Sequence, residues 1–244
     1  DLIRAQRDAA WGEVARRLAH EIKNPLTPIQ LSAERIEHKL AGQLSPDQAK
    51  VLTRSTQTII KQVDAMKDMV NAFRDYASTP PAHPENLDIN QLVMEVADLY
   101  HGYQDSIQLK THLADDLPLL LADPARLRQV LHNLIKNAFE ALGEQAGEIH
   151  VTSRYRGDSQ GHYIELEFSD TGSGIDPELL ENLFEPYVTS KQGGTGLGLA
   201  IVNKIVEEHG GMVIASNSPE GGARFTVRLP EKGSFSQPEP PAGP

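Results

Sequence analysis

The 244-residue chain has no cysteine and a single tryptophan, and only 5% of its residues are aromatic. Without cysteine there is no disulfide framework, no thiolate metal site and no cysteine nucleophile. No run of about 18 apolar residues occurs, and the chain does not open on the charged-then-apolar order of a secretion signal. The stretch reads as soluble. It also lacks a basic surplus: 23 Lys and Arg stand against 34 Asp and Glu, a net charge of −11. A broad duplex footprint needs the opposite balance, so nucleic acid is not an expected partner.

The acidity is unevenly spread, with residues 1–79 at net +2 and residues 80–244 at net −13. The break falls at Thr79-Pro80-Pro81-Ala82-His83-Pro84, where prolines restrict the chain to extended conformations. The expected layout is a first domain over 1–79, a linker over 80–84, a second domain over 85–232, and a Pro-rich tail over 233–244 that is too poor in apolar residues to fold.

Two long helices account for the first domain. From Trp11 a mostly apolar series runs Ala15, Leu18, Ile22, Pro25, Ile29, Ser32, Ile36, alternating steps of four and three. A second series, Leu52, Thr56, Ile59, Val63, Met66, Val70, Phe73, Ala77, repeats the rhythm. Breakers at 41–47 separate them, with Ser45 as N-cap and Pro46 at the first helical position. The reading is an antiparallel helical hairpin. Helices of roughly 30 to 40 residues have seams too long to satisfy within one hairpin, so two hairpins are expected to pair as a dimeric four-helix bundle. The competing arrangement is an intramolecular coiled-coil stalk.

Inside the first helix, His20 falls outside the seam, followed by Glu21, Asn24, and prolines at 25 and 28 that each remove a backbone donor. A sequence that gives up helix stability beside an exposed histidine points to chemistry there. Glu21 can take the Nδ1 proton and leave Nε2 as nucleophile. Asn24 stands where a His-Glu-x-x-His zinc site needs its second histidine, which excludes that site. Asn24 lies one turn after His20, so its amide falls on the same exposed face. The other eight histidines (38, 83, 101, 112, 132, 150, 162, 209) read as surface residues.

After Glu85 the period changes. Helices are expected at 90–103, 123–142 and 198–209, with strands at 107–113, 147–154, 164–169, 212–216 and 223–229. Asn133, Asn137 and Glu140 share one face of the middle helix, and paired amides suit a magnesium ion that carries phosphates. Asp170, with Gly172 and Gly174 after it, ends a strand, where a carboxylate can accept from an exocyclic amine and glycines let a ring approach. Gly193-Gly194-Thr195-Gly196-Leu197-Gly198 runs into the last helix, whose first N–H groups suit phosphate. Neither glycine cluster matches the dinucleotide fingerprint or the P-loop, so a nucleotide site of another design is implied. The segment between them has the length and glycine content of a mobile lid.

These residues together resemble the sensor histidine kinases of two-component systems. His20–Leu26 is similar to their H box, Asn133–Glu140 to the N box, Asp170–Gly174 to the G1 box, Phe184–Tyr187 to the F box and Gly194–Gly198 to the G2 box. The order covers residues 10 to 230, and Leu26–Arg35 further resembles the nitrogen-regulation branch. Tyr187 stands where the F box commonly has Phe.

The resemblance implies an α+β multidomain protein: a dimeric phosphotransfer hairpin followed by a Bergerat-type α/β-sandwich ATP-binding domain. It implies Mg·ATP held by Asn133, Lys136, Asn137, Asp170, Gly172, Gly174, Lys191, Gly194, Thr195, Gly196, Leu197 and Gly198, with Asn137 on the metal and Asp170 on adenine. His20 would take the γ-phosphoryl group with Glu21 assisting, and an Asp of a response-regulator receiver domain would receive it. Homodimerisation follows from the same resemblance, as does a place as the cytoplasmic portion of a membrane-anchored, inner-membrane protein. Two other classes compete. Gyrase-like and chaperone-like ATPases carry a Glu at the place of Asn133, and a nucleotide-binding scaffold leaves His20 and Glu21 without purpose.

Overall fold

The computed structural model describes residues 2–77, 82–159, 161–191, 194–219 and 221–233, with side chains from residue 14 onward. Trp11 of the expected seam, Pro80 and Pro81 of the linker, Gly193, and the tail from 234 fall outside those side chains or residues. The chain forms two compact units, residues 1–80 with 189–197 and residues 81–188 with 198–244.

The first unit contains helices α1 (Leu2–Leu40) and α2 (Pro46–Ala77), joined by a 3-10 turn at Ala41–Gln43. The second helix starts on a reciprocal cap: Ser45 N–H donates to Gln48 Oε1 and Gln48 N–H to Ser45 Oγ. Both prolines lie inside α1, which continues through them. The seam divides, however. The side chains buried within the chain are Ala15, Ala19, Leu26 and Ala33 on α1, and Thr56, Val63 and Val70 on α2. Ala19, Leu26 and Ala33 are not in the expected series. Leu18, Ile22, Ile29 and Ile36, which are, remain half-exposed, as do Ile59 and Met66. Small residues at 15, 19 and 33 let the helices approach closely, so that contact takes the adjacent heptad position.

The second unit is a two-layer sandwich. Its five-stranded sheet has the order β2-β4-β5-β7-β6, with β2 (Ile107–His112) parallel to β4 (Gly147–Asp158) and the remaining pairs, through β5 (Gly161–Asp170), β7 (Ala223–Pro230) and β6 (Met212–Asn217), antiparallel. Alternation sends Ile164, Leu166 and Phe168 of β5 and Phe225, Val227 and Leu229 of β7 to the buried side. Against them lie α3 (Ile89–Asp98), α4 (Pro124–Leu142) and α5 (Gly198–Glu208). Each of the first two is capped by an aspartate, Asp88 or Asp123, that accepts from the N–H groups two and three residues on. Two strands of three residues, β1 (Glu85–Leu87) and β3 (Leu120–Ala122), pair antiparallel beside this sheet. No described helix is long and apolar enough to cross a membrane.

Candidate functional site

On α1, His20 is exposed, immediately after buried Ala19. Glu21 turns back along the helix, where its Oε1 accepts from Arg17 Nε at 3.0 Å. Because Pro25 and Pro28 carry no N–H, the carbonyls of Glu21 and Asn24 lose their helical donors beside the histidine. Asn24 is exposed, four residues after His20.

In the sandwich three segments converge. Helix α4 buries Leu131, Leu134, Ile135 and Ala138 toward the sheet and leaves Asn133 and Asn137 half-exposed at its border. Asn133 donates from Nδ2 to the carbonyl of Gly198 at 3.3 Å, which brings the first turn of α5 against α4. Lys136, one position from Asn137, is exposed and pairs with Glu140 at 3.9 Å. Asp170 closes β5 and is 5% exposed. Its Oδ1 accepts from the N–H of Gly172 at 2.9 Å and of Ala223 at 3.3 Å, so the carboxylate is fixed by backbone. A side chain at Gly172 would meet that same oxygen at 2.9 Å and the carbonyl of Ala141 at 3.2 Å. This explains the glycine and ties the segment to the end of α4.

Residues 189–197 belong to the first unit. Within that stretch Lys191 N–H donates to Thr189 Oγ1 at 3.1 Å, Leu197 N–H to Thr195 Oγ1 at 3.3 Å, and Gly196 has φ +65°. Leu197 is fully buried, and a Cβ at Gly194 would meet Thr189 Oγ1 at 2.7 Å. Tyr187 is the sole non-glycine residue with positive φ among the described residues, +69°, and it is 63% exposed rather than packed.

Among the features of the second unit that sequence reasoning missed are two single residues. The first is Gly222, at φ +83°, where a Cβ would stand 1.8 Å from the carbonyl oxygen of Asp170. Its partner lies 52 positions away along the chain, which no local pattern reveals. The second corrects the reading of every other histidine as a surface residue: His209 is 3% exposed. Its Nδ1 donates to the carbonyl of Ile205 at 2.7 Å and its Nε2 accepts from the N–H of Asp123 at 3.1 Å, the neutral tautomer. Burial depresses its pKa. The unfolded chain therefore binds a proton here before the folded one does, and stability is present above the ordinary histidine range and lost as pH falls below about 6.5. The thermal midpoint is expected to drop more between pH 7.5 and 5.5 for the native protein than for His209→Asn.

Among the described residues, no group of three or more histidines and carboxylates is arranged to hold a metal ion. The amide oxygen of Asn137, half-exposed at the border of α4, is a donor that would fit Mg2+ shared with phosphate oxygens.

Two family models match the chain, "His Kinase A (phospho-acceptor) domain" over residues 10–80 and "Histidine kinase-, DNA gyrase B-, and HSP90-like ATPase" over residues 122–233. Nitrogen regulation protein NtrY of Azorhizobium caulinodans is 37% identical over 241 residues, 98% of this chain and 31% of that protein. Sensor histidine kinase ZraS of Escherichia coli O157:H7 is 36% identical, over 94% of this chain and 48% of its own length. The chain thus spans between about a third and a half of these curated relatives. The isolated catalytic domain of histidine kinase ThkA is 32% identical, with a TM-score of 0.53, and is covered over 96% of its length by 61% of this chain. ThkA in complex with the response regulator TrrA superposes with a TM-score of 0.66 at 28% identity, over 94% of this chain and 64% of that one. Full-length ShkA in complex with AMPPNP gives a TM-score of 0.68 at 28% identity, over 89% of this chain and 45% of that one.

Proposed function

Because the chain belongs to the histidine kinases, with a phospho-acceptor hairpin followed by an ATP-binding sandwich, we propose that it autophosphorylates His20 from ATP and passes the phosphoryl group to an Asp of a response-regulator receiver domain. One observation carries the reading: Asn133 on Gly198, and Gly172 against Ala141, gather the amides of α4, the fixed carboxylate of Asp170 and the first turn of α5 at one end of the sandwich. That set suits adenine at one side and phosphates at the other.

In this reading Asp170 accepts from the adenine amine, and the N–H groups at the start of α5 meet phosphate oxygens, with Gly194, Thr195, Gly196 and Leu197 as the glycine-rich segment leading into it. Lys136 and Lys191 neutralise phosphate charge. Mg2+, held through Asn137, would add charge neutralisation of the transferring group. His20 Nε2 attacks the γ-phosphorus in line, the N–P bond forms as the bond to the bridging oxygen breaks, and ADP leaves. Glu21 exchanges Arg17 for the imidazole and takes up its proton charge. Asn133 cannot activate water as a carboxylate would, which disfavours ATP hydrolysis as the main activity.

The half-exposed stripe of Leu18, Ile22, Ile29 and Ile36, with Ile59 and Met66, supports a homodimer through a four-helix bundle. The domains in this proposal are 1–79 for dimerisation and phosphotransfer and 85–232 for catalysis, with 80–84 as linker. The name of the NtrY relative is the ground for proposing nitrogen regulation. The need for ATP and a receiver domain puts this portion in the cytoplasm, and we infer an inner-membrane protein as its context.

The test is incubation with γ-labelled ATP and magnesium. The label should be acid-labile and alkali-stable, as phosphohistidine is; an acid-stable label would overturn the reading. A second activity, removal of phosphate from the partner regulator, is assigned to Asn24. Kinase chemistry gives this amide no task, whereas hydrolysis needs a water held in line by a group that does not compete as nucleophile. Asn24→Ala should slow dephosphorylation of a pre-phosphorylated regulator by about tenfold or more and leave autophosphorylation intact. Equal dephosphorylation rates, or a parallel collapse of both activities, would remove Asn24 from that role.

A further inference from the structure

The segment from Asp170 to Ile175 is staked at both ends. At its start Thr171 N–H donates to the carbonyl of Glu148 at 3.1 Å and Thr171 Oγ1 accepts from Glu148 N–H at 3.0 Å, a mutual tie to β4. At its end the side chain of Asn217, the last residue of β6, takes hold of a single backbone residue. Asn217 Oδ1 accepts from Ile175 N–H at 2.7 Å, and Asn217 Nδ2 donates to the Ile175 carbonyl at 2.7 Å. Only Gly172, Ser173 and Gly174 span the gap. Gly174 has φ +77°, and a Cβ there would meet Asn217 Oδ1 at 2.9 Å, so the glycine is what lets the amide in.

The same rung of the sheet also serves Asp170. Asn217 is registered opposite Ala223, whose N–H donates to Asp170 Oδ1 at 3.3 Å. The turn between them is closed by Ser218 N–H on the Gly222 carbonyl at 2.9 Å. One rung therefore fixes the carboxylate at the head of the segment and the peptide at its foot.

We propose that Asn217 is a positioning residue for the nucleotide site, touching no substrate itself but holding Gly172–Ile175 in the conformation that receives the base. The inference rests on the ATP-site reading above. Asn217 is exposed, so losing its two bonds costs the fold little. A loop that must be ordered by the ligand instead binds it more weakly.

The experiment measures affinity for a non-hydrolysable ATP analogue with magnesium, the thermal midpoint, and amide exchange across 171–176, for wild type, Asn217→Ala and Asn217→Asp. Asn217→Ala should bind roughly tenfold more weakly, the scale of two modest hydrogen bonds. Its midpoint should change little, its Ile175 amide should exchange faster, and His20 labelling at saturating ATP should reach the wild-type rate. Asn217→Asp keeps the acceptor for Ile175 N–H and loses the donor, so its affinity should fall between the two; it also decides the matter if the alanine variant does not fold. Unchanged affinity, unchanged exchange at Ile175, or a fall in the saturated labelling rate alone would overturn the proposal. If wild type itself does not bind the analogue, the ATP reading fails, and amide exchange still decides whether Asn217 holds the segment.

Discussion

His20→Gln protein incubated with labelled ATP and magnesium should take up no label, a loss of at least about a thousandfold, because glutamine has hydrogen-bonding groups but no nucleophilic nitrogen. Affinity for nucleotide should stay within about twofold of wild type, since no residue of the proposed adenine and phosphate set lies on α1. The helix should persist, because His20 is exposed and outside the stripe of Ala15, Ala19, Leu26 and Ala33 that packs on α2. Mixing the variant with a second variant that binds no nucleotide tells whether label crosses between protomers. Label on the His20→Gln chain would sink the assignment.

Gly222→Ala is expected to be the most damaging single methyl in the sandwich. The residue has φ +83°, and the new Cβ would stand 1.8 Å from the Asp170 carbonyl oxygen and 2.6 Å from its carbon. Nothing flexible is there to yield, so β7 must move away from β5 or the peptide must rotate. Left-handed strain and backbone overlap together cost on the order of 3 kcal/mol, which lowers the thermal midpoint by roughly 10 °C. Ala223 N–H would be drawn off Asp170 Oδ1, and ATP affinity should fall with it. Gly221→Ala is the control: its φ is +98°, but open space surrounds its Cβ. It should show the strain alone and keep its affinity. Equal behaviour of the two variants would mean that the close approach at Gly222 does not matter.

Much of the sandwich was legible because its elements are long enough for a period to register. Pro124–Leu142 and Ala223–Pro230 repeat their apolar positions over many residues and end within a residue or two of expectation. The strands Glu85–Leu87 and Leu120–Ala122 were invisible because three residues carry no alternation. The hairpin was readable as two helices but not as to which heptad position packs inside one chain, since Leu18 and Ala19 are both apolar and only the approach of α2 chooses. The residues proposed to carry the chemistry stood out where glycines or prolines broke a regular pattern, as around His20 and Asp170. Asn217, Gly222 and His209 did not, because each acts through a residue 42 to 86 positions away. A distance along the chain of that length leaves no local trace.

The capping residue Asp123 has a mechanical side. Its Oδ2 accepts from the N–H of His83, just past the linker prolines, at 2.9 Å, and its own N–H is held by His209 at the far end of α5. Arg126, one turn into α4, adds an ion pair to Glu208 at that same end. From there α5 runs back through 11 residues, about 16 Å, to Gly198 against Asn133. His83 and Gly198 are thus joined by one unbroken series of contacts within the sandwich, through Asp123, His209 and the length of α5, so the cap that starts α4 also anchors the far end of the helix that begins beside Asn133.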